Sequence, residues 1–215
     1  MAHIKPLHKL TLKDMMFNIP EYAGLSDGLV KLPLPDHITI NRKDYPIPQT
    51  LDEFTNDICY GQRLFFTRKE ENDFGAIIRV MDGYYFTKVK REIWDADKAL
   101  LFGKIVISCM AYQLYPVAMH LTSLINDMSD REQKLLHREP TKLELAAGIE
   151  KLNVFSELTS LDFLRDAMKI TVPEVLLTPY NECLVRFMIA KEQAGFQERY
   201  YDLISEASKP KSKYK

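Results

Sequence analysis

Residues 94–125, WDADKALLFGKIVISCMAYQLYPVAMHLTSLI, contain the richest apolar stretch of the chain, Ala99 to Ile125, and decide how the rest is read. Lys104, Gln113, Pro116 and His120 interrupt it. Charged and strongly polar groups are expensive in lipid, so the stretch reads as a buried helix over about 96–128, bent at Pro116, and not as a membrane span. Asp95 stands where an N-cap belongs, and Asp97 favours the positive end of the same helix.

Helix-start signals continue on both sides. Thr50 to Glu53, Ser129 to Glu132, Thr141 to Glu144 and Thr171 to Glu174 all carry the hydroxyl-x-x-carboxylate spacing in which two side chains satisfy orphan amides reciprocally. Apolar periodicity predicts further helices over about 51–66, 71–81, 130–138, 142–152, 160–169 and 179–207. In the last of these, Thr178 can cap, Pro179 suits the first helical position, and Val185, Ile189, Phe196, Tyr200 and Leu203 share one face. Its first half, Cys183 to Ala190, carries only Arg186 as a charge and is expected inside the fold. Gly83 to Val89 reads better as a loop than as a strand.

The fold class that results is mainly α: a helical bundle-like body with an N-terminal extended arm and a small β-hairpin. Residues 1–35 are the arm, broken by four prolines and two glycines yet rich in apolar side chains. Such a segment must dock, on its own body or on a neighbour. His37–Ile40 and Tyr45–Pro48 around a polar turn read as the hairpin, whose prolines confine it to an edge. Residues 36–207 form the helical domain, and 208–215 a basic, disordered tail.

Composition excludes more than it assigns. Twenty-nine basic against 30 acidic residues, with 46% hydrophobic and 27% charged, describe an ordinary folded chain, neither a globally basic nucleic-acid binder nor an acidic disordered one. No export signal is visible at the N-terminus, and Cys59, Cys109 and Cys183 are far apart in apolar surroundings, as suits buried thiols in a reducing compartment.

Catalytic signals are weak. The five histidines make no metal-ligand spacing, so neither a metal nor another cofactor is expected. Asp95, Asp97, Lys104 and His120 are the first candidates should an enzyme site converge in three dimensions. Arg63, Arg68 and Lys69 with Phe65 and Phe66, and Lys88, Lys90 and Arg91 with Tyr84, Tyr85 and Phe86, interleave cations and aromatics as single-strand binders do, but nearby acids dilute both clusters. Lys209, Lys211, Lys213 and Lys215 could give the tail a weak, salt-sensitive contact with DNA.

The hairpin pattern Ile38-Thr-Ile-Asn-x-x-x-Tyr45-x-Ile-Pro48, the Thr-capped helix after it, and the stretches 94–119 and 132–152 resemble small head–tail and tail-assembly proteins of tailed bacteriophages, including crAss-like phages. The resemblance covers the layout of roughly residues 37–207. It implies a non-enzymatic role in the virion or its assembly in the host cytoplasm: many copies in a ring or adaptor at the portal–tail junction, or a tail-assembly chaperone. Partners would be further copies of the chain and other phage structural proteins such as portal or tail proteins, with no membrane. The candidate contact residues are Leu12, Met15, Met16, Phe17, Ile19 and Tyr22 of the arm and Ile38, Ile40, Tyr45 and Ile47 of the hairpin.

Overall fold

Asp95 caps a helix as its position foretells, its carboxylate accepting from the Lys98 amide at 2.9 Å. The helix that follows, however, ends after one-third of its expected length. The computed structural model describes residues 6–17, 25–68, 73–149, 151 and 155–208. Among them are eleven α-helices and one two-stranded hairpin, so the fold is mainly α. After a 3-10 turn at Leu7–Lys9 come α1 (Leu12–Phe17) and α2 (Leu25–Val30), then β1 (His37–Ile40) and β2 (Lys43–Pro46). The body contains α3 (Leu51–Asn56), α4 (Tyr60–Phe66), α5 (Asp73–Lys90), α6 (Ala96–Val106), α7 (Ala111–Leu136), α8 (Lys142–Ala146), α9 (Ser156–Met168), α10 (Val172–Leu177) and α11 (Tyr180–Ser208).

Two expected helices are each cut in two, for the same physical reason. Between α6 and α7 the backbone gives its hydrogen bonds to the N-terminal segment: Lys13 N donates to Ile107 O at 2.8 Å, Leu12 N to Cys109 O at 3.2 Å, and Ala111 N to Leu10 O at 2.8 Å. Between α3 and α4, Tyr60 N donates to Thr178 O at 2.9 Å and Tyr180 N to Ile58 O at 3.1 Å. Each break is an isolated antiparallel bridge, Thr11 with Met110 and Cys59 with Pro179. A helix can surrender intrahelical bonds there because these freed groups find new partners. Pro116, the expected bend, instead lies inside the unbroken run of α7.

The described part of the arm therefore belongs to this chain's own core and is largely helical, not extended. Leu10, Leu12 and Leu29 are buried, as is Met15. The hairpin packs its alternate residues Ile38 and Ile40 against α7. Its turn is tighter than expected: Asn41 and Arg42 alone connect the strands, with φ of 51° and 62°, and Ile38 pairs with Tyr45. Two successive residues at positive φ give the turn whose twist matches paired strands.

Gly83 to Val89 is helix, not loop, because α5 is enclosed by neighbours and tertiary packing overrides local preference. Phe54 stacks on Tyr84 at 5.4 Å, and Phe65 meets Trp94 edge-on at 5.2 Å. A Cβ on Gly83 would lie 2.3 Å from Phe66, so only glycine permits this approach. Gly103 of α6 similarly makes room for Asp82 of α5. That carboxyl is 1% exposed and neither oxygen has a hydrogen-bond partner. Burial alone pushes its pKa up to about 8.

Two expectations follow. Leu12→Ala should cost about 2–5 kcal/mol in urea denaturation, as for a core leucine, where an arm residue facing a neighbour would cost the isolated chain almost nothing. For Asp82, the folded state holds a proton that the unfolded chain releases from about pH 4 upward. Its contribution to stability is therefore most favourable in acid and falls by roughly 1.4 kcal/mol per unit until about pH 8. Asp82→Asn removes that slope, so its advantage over the parent protein in denaturation series should widen between pH 5 and 8.

Candidate functional site

The Cys59–Pro179 bridge sets the start of α11 against α4, and α7 and α9 close around them. A cavity of about 200 Å³ remains at this junction. On one side Arg63 of α4 binds Glu132 of α7 through both donors, Nε to Oε1 at 2.9 Å and Nη2 to Oε2 at 2.5 Å. The side chains are only 22% and 13% exposed, so the pair is shielded from water. Burial opposes the Arg63 charge, but the hydrogen bonds and charge of Glu132 outweigh it and hold the guanidinium pKa above its ordinary value. Glu132 was expected to complete a cap with Ser129. Instead both lie within α7, and Ser129 Oγ donates back to Ile125 O at 3.0 Å.

Two phenols complete the polar lining. Burial raises Tyr60 to about 12, and burial with the adjacent Glu132 carboxylate raises Tyr180 further. Both stay protonated at neutral pH and can only act as donors or neutral acceptors. The Tyr180 hydroxyl is enclosed beside the Glu132 carboxylate. Ser160 Oγ donates to Ser156 O at 2.8 Å. Among the described residues the lining holds no histidine, lysine or cysteine that could activate a hydroxyl. Chemically, this arrangement locks four helices together and orients α11.

Farther along, Lys191 Nζ donates to Leu135 O at 2.8 Å, and Arg138 reaches Glu198 at 3.8 Å while also pairing with Glu144. These contacts hold one side of α11 against the end of α7. The opposite side is bare: Val185 is 51% exposed, Ile189 45%, Phe196 62%, Tyr200 53% and Leu203 65%, and from Phe196 to Ser208 the other faces are exposed as well, Tyr201 and Ile204 among them. At 100° per residue these five side chains fall within about 60° of arc. The shared face expected from the sequence is real, but it points outward. The expectation that Cys183 to Ala190 lies inside is corrected, since only Cys183 and Leu184 are buried there. Tyr180, Cys183, Leu184 and Phe187 suffice to cover the body, which leaves the other face without a neighbour.

The contact residues expected from the sequence lie elsewhere. Leu12, Met15, Ile38, Ile40 and Ile47 are buried in the chain's own core, and Met16 and Tyr45 are half-buried against it, so none of these seven offers a free contact face. Ile19 and Tyr22 lie outside the described residues, as does the side chain of Phe17. The catalytic candidates are not brought together in the cavity: Asp95 is a helix cap, Asp97 and Lys104 are exposed on α6, and His120 Nε2 bonds to Pro48 O at 2.8 Å. Phe65, Phe66, Tyr84, Tyr85 and Phe86 are buried and cannot stack on bases. The four tail lysines lie outside the described residues.

Burial pushes all three thiols above their ordinary pKa, Cys109 to about 11 and Cys183 to about 12, which leaves them protonated and unreactive at neutral pH. Among the described residues there is no group of three histidine, cysteine or acidic side chains placed to hold a metal, and no helix long and apolar enough to cross a membrane.

Removing one member of the ion pair strands the other's charge. Glu132→Ala is expected to destabilise the protein by about 3 kcal/mol, and the double variant Arg63→Met with Glu132→Leu by clearly less, when both are measured by chemical denaturation. Comparison with known protein families, curated proteins and solved structures finds no match to the chain.

Proposed function

We propose that this chain is a non-enzymatic structural subunit of a tailed-bacteriophage particle, present in several copies as a ring or adaptor near the portal–tail junction. The observation that carries the reading is the outer face of α11, where Phe196, Tyr200 and Leu203 are each more than half exposed on a helix whose first half is docked on the body. A contiguous apolar face on a well-packed body is a contact surface. Isolated solvated helices carry polar residues there. The resemblance of the hairpin's sequence pattern and of the helical layout to head–tail proteins suggests the setting. The cavity supports the same reading, because Arg63 and Glu132 are used against each other and its phenols stay neutral.

With the arm residues committed to the core, the assembly surface moves from the N-terminal arm to the C-terminal helix. Contacts with portal or tail proteins and with further copies are then made by a preformed face, and no arm needs to be released. Such a surface loses little conformational entropy on binding, because the helix is already ordered.

The test is the protein content of mature particles. Mass spectrometry of density-purified virions of the phage that encodes the chain should find it at a fixed stoichiometry above one copy per particle. Its presence in infected cells but not in mature particles would instead make it a tail-assembly chaperone and overturn the structural reading.

A further inference from the structure

We infer that the bare face of α11 is covered by the same face of a second copy, the two helices running antiparallel about a two-fold axis at the level of Phe196. This deepens the reading of α11 as an assembly surface and rests on it. The spacing of the face favours a copy of itself as occupant. Ile189 and Leu203 lie seven residues on either side of Phe196, so an axis there sets Ile189 of each copy against Leu203 of the other and closes Phe196 on Phe196. Val185 then falls opposite Ala207, a large side chain against a small one. Tyr200 falls level with Glu192 of the mate, so four of the five face residues meet apolar side chains across the axis, which gives the self-complementarity an isologous contact requires.

Charge chooses the direction. Glu192 and Arg199 flank the stripe on the same side, and neither has an ion-pair partner among the described residues. In antiparallel helices like flanks face each other, so Glu192 of one copy meets Arg199 of its mate, and symmetry makes the pair twice. A parallel pairing in register puts Glu192 and Arg199 of the two copies on opposite edges of the seam, which loses this pair, and brings together the ends that lead into Lys209, Lys211, Lys213 and Lys215. From Val185 to Leu203 the face runs about 27 Å along the helix. Two such faces bury on the order of 1,000 Å², the lower limit for a specific contact. An isologous contact ends with two copies. The pair is thus a building unit, and a larger closed assembly needs a second, different contact.

Light scattering after size exclusion of the full chain at tens of micromolar should give twice the 25.0 kDa protomer mass. Glu192→Arg alone and Arg199→Glu alone should each raise the dimer dissociation constant at least tenfold, and the two changes together should restore it. For direction, Ile189→Cys and Leu203→Cys proteins, mixed and oxidised, should form a crosslinked heterodimer, while Leu203→Cys alone stays uncrosslinked. All these positions are exposed, so circular dichroism melting of the variants should match the parent protein when both are dilute enough to be monomeric. A monomer at these concentrations overturns the inference. A dimer whose charge reversal is not rescued, or that crosslinks through Leu203→Cys alone, also overturns it while leaving self-assembly in place; and detection in virions tests the phage setting separately.

Discussion

Two short exchanges of main-chain hydrogen bonds determine the shape of this protein. At the Thr11–Met110 and Cys59–Pro179 bridges the chain stops being helix, because the amides and carbonyls of the break are taken by segments far away in sequence. The first ties the N-terminal residues into the core beside α6 and α7. The second joins the start of α11 to the start of α4 and so brings Tyr180 next to Arg63 and Glu132. Without it the ion pair would not be roofed, and the long last helix would have no fixed direction. Backbone groups buried at a helix end cost free energy unless paired, so each bridge holds only while both of its strands are in place.

That dependence explains which features were readable from the residues and which were not. Local signals were reliable: Asp95 caps α6, Thr171 and Glu174 form a reciprocal cap at α10, and the hydroxyl of Thr50 accepts the Glu53 amide. Ile38 and Ile40 alternate with exposed neighbours as a half-buried strand should. The two breaks could not be seen, since Asp57 and Ser108 are the only turn-favouring residues in Asp57 to Cys59 and Ile107 to Met110 and no glycine or proline marks either break; the partners that stabilise them lie about a hundred residues away. The same tertiary cause turned Gly83 to Val89 into helix and left Thr178 bonding back to Glu174 O, as the end of α10, instead of capping α11.

The contact surface was half legible. Apolar spacing correctly grouped Val185, Ile189, Phe196, Tyr200 and Leu203, but spacing cannot tell which of two apolar faces the body takes. Helix α11 is apolar on nearly all sides near its start, and the body claims Tyr180, Cys183, Leu184 and Phe187. The arm gave the converse problem. Its hydrophobic residues, broken by proline and glycine, looked surplus to a single copy, yet Leu10, Leu12 and Leu29 fill space that α7 cannot fill alone. Hydrophobic excess identifies residues that must be covered, and only the fold says by what.

The central claim is that the outer side of α11 is hidden by another protein surface in the working molecule. Amide hydrogen exchange across residues 196–208, followed as the full chain is diluted, measures this most directly. The account requires slow exchange in that segment at high concentration, becoming faster on dilution while the amides of α7 stay protected. Exchange in that segment that is fast at every concentration, and unchanged when particle proteins are added, would contradict it.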